Sequence, residues 1–468
     1  MGLVGGMMLI SLASSGFAEE GTASTPWRLH DALGLPTWLT LAIEHRTRYE
    51  TIDNQFRKSG TGGDQAISFR TNVFAEAAYA GWRLGGEFID SRVTADDEGT
   101  PLDNTLVNEA DLLQAYLGWG TNDLLGTGLS ADIKGGRETI DLGSRRLVAR
   151  NAFRNTINAF TGLDVQLGVP NDWQIRSFFV LPVFRLPSDV DQIRNERMVF
   201  DREDAHTYLW GLYARKSQLL WNTNGEIYLL GLHEDDVPSL ATRNRRLYTP
   251  GIRWFKEPAT GQIDLEIEAA YQVGTSRGSA TSTDTTDLDH AAHFEHAQVG
   301  YTLGLPWSPR FLAQYDYASG DDDPNDGNNN RFDTLFGARR FEFGPTGIWG
   351  AFARSNINSP GYRLIVKPHQ SVSAMIGHRL FWLASDRDAW TTTPVTSSGT
   401  LQDTTGLSGD FIGHQIEASI FWNVIPKNLT LEAGWAHLIK GEFAKNAPDA
   451  PLDQGDSNYF YAQTTVQF

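Results

Sequence analysis

The chain alternates apolar and polar side chains in about eighteen segments of roughly ten residues, a pattern few folds tolerate. In 262–273, Ile263, Leu265, Ile267, Ala269, Tyr271 and Val273 share one parity, and Gln262, Asp264, Glu266, Glu268 and Gln272 the other. In 38–50, Leu39, Leu41 and Ile43 alternate with Thr40, Glu44, Arg46 and Arg48. In 428–438, Leu429, Leu431, Ala433 and Trp435 alternate with Thr430 and Glu432. Successive side chains of a strand point to opposite faces, so each segment predicts a strand with one apolar and one polar face. About ten residues is the length at which a tilted strand crosses a bilayer. The other fifteen candidates are 66–79, 81–92, 110–119, 128–138, 159–169, 172–184, 206–217, 223–233, 245–255, 291–303, 309–319, 361–367, 370–385, 410–422 and 457–468. Short connections such as Ala80-Gly81 and Pro426-Lys427 alternate with long polar ones at 94–109, 185–205, 275–290, 320–347 and 386–409. That rhythm predicts an all-β transmembrane antiparallel barrel of about 18 strands.

A strand in lipid must pair every backbone N–H and C=O, so the sheet has to close on itself. One face then meets lipid and the other the lumen. The polar parity holds Glu, Asp, Arg and Gln, which predicts a water-filled lumen, partly closed by loops; eighteen strands are wide enough for one. The C-terminal Phe460, Ala462, Thr464, Val466 and Phe468 share a face, and that strand resembles the signal read by the barrel assembly machinery of the outer membrane. Met1 to Ala18 carries no charged side chain and ends Gly16-Phe17-Ala18, which predicts a secretory signal peptide at 1–18 and one barrel domain at 19–468. The mean hydropathy of −0.34 excludes a bundle of membrane helices. With no cysteine there is no disulfide and no thiolate metal site. A net charge of −18 argues against nucleic acid as a partner.

Against that acidic balance, Gly143 to Thr156 holds four arginines and no acid. The wider stretch 135–162 has Arg137, Arg145, Arg146, Arg150 and Arg154 against Glu138 and Asp141. Arg46, Arg48, Arg70, Arg83, Arg253, Arg310, Arg363 and Arg379 fall on the polar parity of strands, as do Lys134 and Lys367. A pore lined by such cations selects anions, and a guanidinium grips a carboxylate through two parallel hydrogen bonds. The competing reading is that they only neutralise lumenal acids such as Glu44, Glu76, Glu87, Glu266, Glu268, Asp316 and Glu417.

GGRETIDLGSRRLVARNAFRNTINAFTG resembles the signature stretch of the alginate export family of outer-membrane proteins, as does YDYASGDDDPNDGNNNRFDTLF from Tyr315 to Phe336. Pro368 leading to Phe381-Trp382, then Gly413-His414-Gln415-Ile416-Glu417, fits the same pattern, except that Gln415 stands where that pattern calls for Glu. The resemblance implies an 18-stranded monomeric barrel in the bacterial outer membrane, bedded in its lipid. It also implies a narrow electropositive lumen that passes an anionic polyuronate, and loops that help close the pore. It carries Arg137, Arg145, Arg150 and Arg154 over as matches to the signature.

The acidic runs belong to loops. In GDDDPNDGNNN, Asp321, Asp323 and Asn325 have the alternating oxygen ligands of a calcium loop, but Gly327 comes one place late and no Glu follows at the twelfth position. A solvated external loop is the alternative, and no other cofactor is expected. Gly274-Thr-Ser276-Arg-Gly278 spells G-x-S-x-G, but a nucleophile elbow needs a helix next and the chain continues GSATSTDTTD. His290, His293 and His296 would share a face on a helix and could bind zinc; on a strand His293 points away. The sequence therefore predicts a transport channel and not an enzyme. It would pass anionic polyuronate passively through a path lined by Arg137, Arg145, Arg146, Arg150, Arg154, Arg46, Arg48, Arg70 and Arg310. The rivals are a general or sugar- or small-anion-selective porin, an outer-membrane enzyme, and a soluble secreted β protein.

Overall fold

The computed structural model describes residues 26–97, 99–237, 240–392 and 399–468. The signal peptide read at 1–18 lies outside them. Eighteen strands form the wall: β1 Leu39–Asp53, β2 Asp64–Tyr79, β3 Trp82–Thr94, β4 Asn108–Thr121, β5 Ser130–Glu138, β6 Phe160–Val169, β7 Trp173–Phe184, β8 Thr207–Leu219 and β9 Thr223–Glu234. They continue as β10 Arg246–Lys256, β11 Ile263–Ser276, β12 Leu288–Thr302, β13 Arg310–Ala318, β14 Ile357–His369, β15 Val372–Trp382, β16 Phe411–Ile425, β17 Leu429–Lys440 and β18 Ser457–Gln467. Each pairs antiparallel with its sequence neighbours, and β18 pairs with β1 from Glu44↔Gln467 to Asp53↔Asn458, closing the cylinder. No helix among the described residues is long and apolar enough to cross a membrane.

Burial runs opposite to that of a soluble barrel. On β11, Ile267 is 50% exposed while Glu268 and Gln272, on the other parity, are buried. Leu84, Leu117, Leu163, Ile227, Ile252 and Ile376 likewise face outward. Arg48, Glu50, His296 and Asp316 are buried inside. The outward parity costs nothing in lipid and would be prohibitive in water. Near the periplasmic end the lumenal Glu44, Arg83, Asp132 and Gln298 stay partly solvent-exposed.

Eighteen of the sequence segments coincide with wall strands to within a few residues. The shortest, 361–367, is extended to Ile357–His369. Pro360 sits in the sheet opposite Tyr315. The ladder to β15 makes no bridge at Ser359 or Pro360, which accommodates the missing N–H. Short turns join the strands at one end and long loops at the other; in outer-membrane barrels the long loops are extracellular. We name the long loops L1 to L9 in chain order: L1 is 54–63, L2 95–107, L3 139–159, L4 185–206, L7 319–356, L8 383–410 and L9 441–456. At the short-turn end, residues ahead of β1 clasp the far end of the chain. The Trp27 N–H donates to Asn428 Oδ1 (2.9 Å), Asn428 Nδ2 donates back to the Trp27 carbonyl (2.7 Å), and the Trp27 ring packs edge-on against Phe468.

An Ile267→Arg substitution should cost about 2–4 kcal/mol if it meets the hydrocarbon midplane, whereas lumenal Gln298→Arg, beside Glu266, should be close to neutral. Urea unfolding from lipid vesicles measures both.

Candidate functional site: the lumen and its plug

Two of the long loops do not stay outside. L3 and L7 turn into the barrel and pack on each other. Their backbones meet directly: Phe336 N–H donates to Leu147 O (2.9 Å), Ala338 N–H to Arg145 O (2.9 Å), and Ala149 N–H to Phe336 O (3.2 Å). Gly337 permits this approach, since a Cβ there would lie 1.8 Å from the Arg146 carbonyl oxygen. Arg145 and Asn151 adopt left-handed φ of 68° and 56°, reversing L3 twice. Leu142, Leu147 and Val148 of L3 join Phe343, Ile348, Trp349 and Phe352 of L7, with Phe56, Phe381 and Trp390, in one buried apolar cluster. The same cluster continues into Phe178, Leu209, Leu230 and Phe294 of the wall, so plug and wall share one apolar core, and the extracellular half of the lumen is packed where the periplasmic half admits solvent.

The arginines singled out in the sequence divide into three groups. Arg137, Arg146, Arg150 and Arg310 are bound to acids. Arg146 sits among Glu266, Glu268 and Glu342. Arg150 holds Glu87 through both terminal nitrogens at 2.6 and 3.1 Å. Arg137 reaches Glu203 of L4 at 2.8 Å and Asp111 at 3.4 Å, and Arg310 grips both oxygens of Asp264. In the second group, Arg46, Arg48 and Arg70 converge from β1 and β2 on the tip of L3. Arg46 donates to the carbonyls of Ala152, Phe153 and Arg154 at 2.9, 3.1 and 2.7 Å. Arg48 donates to Phe153 O at 2.7 Å, and Arg70 to Ala152 O and Arg154 O at 2.7 and 3.0 Å. Arg145 and Arg154 make up the third group. Arg145 lies over the Phe341 ring at 5.3 Å. Among the described residues Arg154 has no ion pair and no side-chain hydrogen bond.

Arg154 has company that the sequence reading does not single out. Burial, then the charges of Arg339 and Arg185, push its pKa down, with exposed Asp103 the single acid opposing them. Burial and Arg57 do the same to Arg339, and burial lowers Arg57 and Arg185. A guanidinium stays protonated across physiological pH, so the pull of Arg339 and Arg185 on Arg154, and of Arg57 on Arg339, marks cations that lie near one another. Arg339 also lines a cavity of about 290 Å³ with Arg243, Arg245 and Arg331. The signal for this second set was present: L7 carries Arg339-Arg340-Phe341, an arginine doublet like Arg145-Arg146, amid Phe332, Phe336, Phe343, Trp349 and Phe352, far too apolar for a solvated loop.

The remaining candidates have structural surroundings. Asp321 is buried and its backbone N–H donates to Asp388, whereas Asp323 and Asn325 are exposed and Asp323 caps its own turn. The three calcium candidates thus have unlike environments. Gln415 accepts from Trp349 Nε1 at 3.0 Å and donates to Phe343 O at 3.3 Å. An amide can do both, and a carboxylate in that place could not donate. Ser276 ends β11 and is followed by a loop, its Oγ 3.1 Å from His290 Nδ1. His290 and His296 are buried on one face of β12, and His293 is on the other.

A model of one family, described as alginate export, matches residues 37–455. The chain belongs to the alginate export family. Solved structures share its fold at low identity. The outer membrane protein OpdK of Pseudomonas aeruginosa superposes with a TM-score of 0.56 at 11% identity, covering 92% of this chain and 98% of that one. OccK5 (OpdH) of Pseudomonas aeruginosa gives 0.55 at 13%, covering 92% and 98%. OprD of Pseudomonas aeruginosa gives 0.53 at 12%, covering 92% and 94%. No curated protein matches the sequence. Family and fold together make this member of the family a channel of the bacterial outer membrane.

Removing Arg146 would leave Glu266, Glu268 and Glu342 buried without their shared cation. Arg146→Gln should therefore destabilise the barrel by roughly 3–5 kcal/mol, read by denaturant unfolding, and should expose L3 to protease. In L4, burial and the charge of Asp111 push Asp201 up to about 6. The raised value means that the folded loop prefers the protonated acid. Its contribution to L4 docking is fully present below the ordinary carboxylate pKa and is lost as pH rises through about 6. Proteolysis of L4 should be slower at acidic than at neutral pH, and Asp201→Asn should remove most of that difference.

Proposed function

We propose that this outer-membrane channel selectively passes anionic polyuronate, as polymer or oligomers, through a path that guanidinium groups make positive. The observation that carries the reading is the loop group of Arg57, Arg154, Arg185 and Arg339: among the described residues none of the four has an ion pair, Arg339 and Arg185 act on Arg154, Arg57 acts on Arg339, and exposed Asp103 is the acid that all four share. Buried like charges are costly, and a fold that needed only internal neutrality would pair them, as it does Arg146 and Arg150. A uronate carboxylate supplies the missing charge in a bidentate geometry. Low-dielectric walls, here the aromatic plug, concentrate the field along the lumen. The paired arginines support the path differently: Arg137 fastens L4 and Arg310 braces β11 against β13. Selectivity then rests on few free cations rather than on every lumenal arginine, and weak sites let each sugar unit leave as well as enter.

The purified protein in planar bilayers should be anion-selective, and soluble polyuronate should block its current. The double variant Arg154→Glu with Arg339→Glu should shift the reversal potential toward cations. It should also weaken the block by about tenfold or more, equivalent to ~1.4 kcal/mol. Unchanged selectivity would reject the role given to these two residues, and absence of any block by polyuronate would favour a general porin.

A further inference from the structure

L3 is held in two unlike ways. At its base the loop's own cations, Arg146 and Arg150, are locked to wall carboxylates by ion pairs. At its tip the polarity reverses: the wall supplies the cations and the loop offers neutral acceptors, main-chain carbonyls and the Asn155 side-chain oxygen. Asn151, with its left-handed backbone, separates the two regimes.

The wall cations at the tip are under-satisfied. Arg46 faces Arg70 directly across the β1–β2 ladder, and Arg48 is two residues further along β1. Glu44 pairs with Arg70 at 2.8 Å. Arg48 donates to Gln463 Oε1 through Nε and Nη2 at 2.8 and 2.7 Å, and its Nη1 lies 4.0 Å from Glu50 Oε2, too far for a hydrogen bond, while Glu50 Oε1 accepts from the Tyr459 hydroxyl at 2.7 Å. Among the described residues Arg46 has neutral acceptors alone: three carbonyls and the Asn155 amide oxygen. Arg46 Nε, Arg48 Nη1 and Arg70 Nε are buried with no hydrogen-bond acceptor among the described residues, on residues no more than 4% exposed. A hydrogen bond with charge on both partners is stronger and shorter than one with charge on the donor alone. A carboxylate would therefore outbid the carbonyls and offer acceptors to the orphaned N–H groups as well.

We propose that Arg46, Arg48 and Arg70 form a carboxylate-binding site that the L3 tip occupies at rest. The carbonyls of Ala152, Phe153 and Arg154 stand where the carboxylate oxygens of an anionic oligosaccharide bind. An entering uronate chain competes for the three guanidiniums and releases the tip, while the ion-paired base of L3 stays in place. The inference rests on the reading that the channel passes polyuronate. Phe153 sets the strength of the latch: its ring is packed by Arg48 at 4.0 Å and Arg340 at 4.8 Å, with Tyr461 edge-on at 5.6 Å.

The chain has no cysteine, so Ala152→Cys carries a single thiol. The barrel is reconstituted in lipid vesicles, and labelling of that thiol by a small cationic maleimide is timed alone, with an oligouronate, and with a neutral glucan of the same length. Oligouronate should accelerate labelling several-fold and the glucan should not. Phe153→Ala should raise the resting conductance in planar bilayers, which keeps a readout if Ala152→Cys fails to fold. If oligouronate blocks the current but leaves labelling unchanged or slower, the latch is wrong and the transport reading stands. If the glucan accelerates labelling equally, competition by carboxylate is wrong. If oligouronate changes neither current nor labelling, both readings fail.

Discussion

Everything in this protein depends on the backbone ladder being closed. A strand end or sheet edge in hydrocarbon would leave rows of N–H and C=O groups with no partner, at several kilocalories per mole each. The β1–β18 pairing removes the last edge. Once the backbone is satisfied by the wall itself, the side chains are free to differ completely on its two faces. The outer face needs only to be apolar. The inner face, shielded from lipid, can concentrate charge.

That freedom is used in two ways inside the lumen. Most inward cations meet acids, and those contacts hold structure: Arg253 bridges Glu226 and Glu266, Arg379 meets Asp316, and Arg340 joins L7 to Glu417. Desolvating a charge is expensive, and each such pair offsets that cost only because its partner is placed and hydrogen-bonded. Elsewhere, among the described residues, the fold accepts charge without an ion pair, at Arg154 and Arg339 and at Arg46 beneath the L3 tip. The contrast between neutralised and unneutralised sites is more informative than the number of arginines.

The wall was legible in the sequence because its grammar is local. A parity of two tells which side chains share a face, and Arg46, Arg48, Arg70 and Arg310 fall on the inner one as the alternation requires. Their partners were not legible. Arg146 meets Glu266 across 120 residues, and nothing short-range marks that pairing. The destination of the loops was hidden for a different reason. Asp321, Asp322 and Asp323 make the start of L7 look solvated, which masks the aromatic run from Phe332 to Phe352 that belongs to a core. Composition averaged over a long connection conceals two segments with opposite preferences. L3 was easier, because its arginines lack acids nearby, but whether they would face substrate or wall carboxylates depends on contacts made only in the folded barrel.

The clasp between Trp27 and Asn428 spans 401 positions, and the β1–β18 seam joins residues about as far apart. Contacts between such remote segments are slow to form, because a very long loop must be closed before they return any free energy. The first strand of the wall must therefore wait, with one side unmatched, until the eighteenth arrives. During that interval it is a template for pairing with other chains, so the hazard for this molecule lies in its schedule of assembly rather than in its finished state.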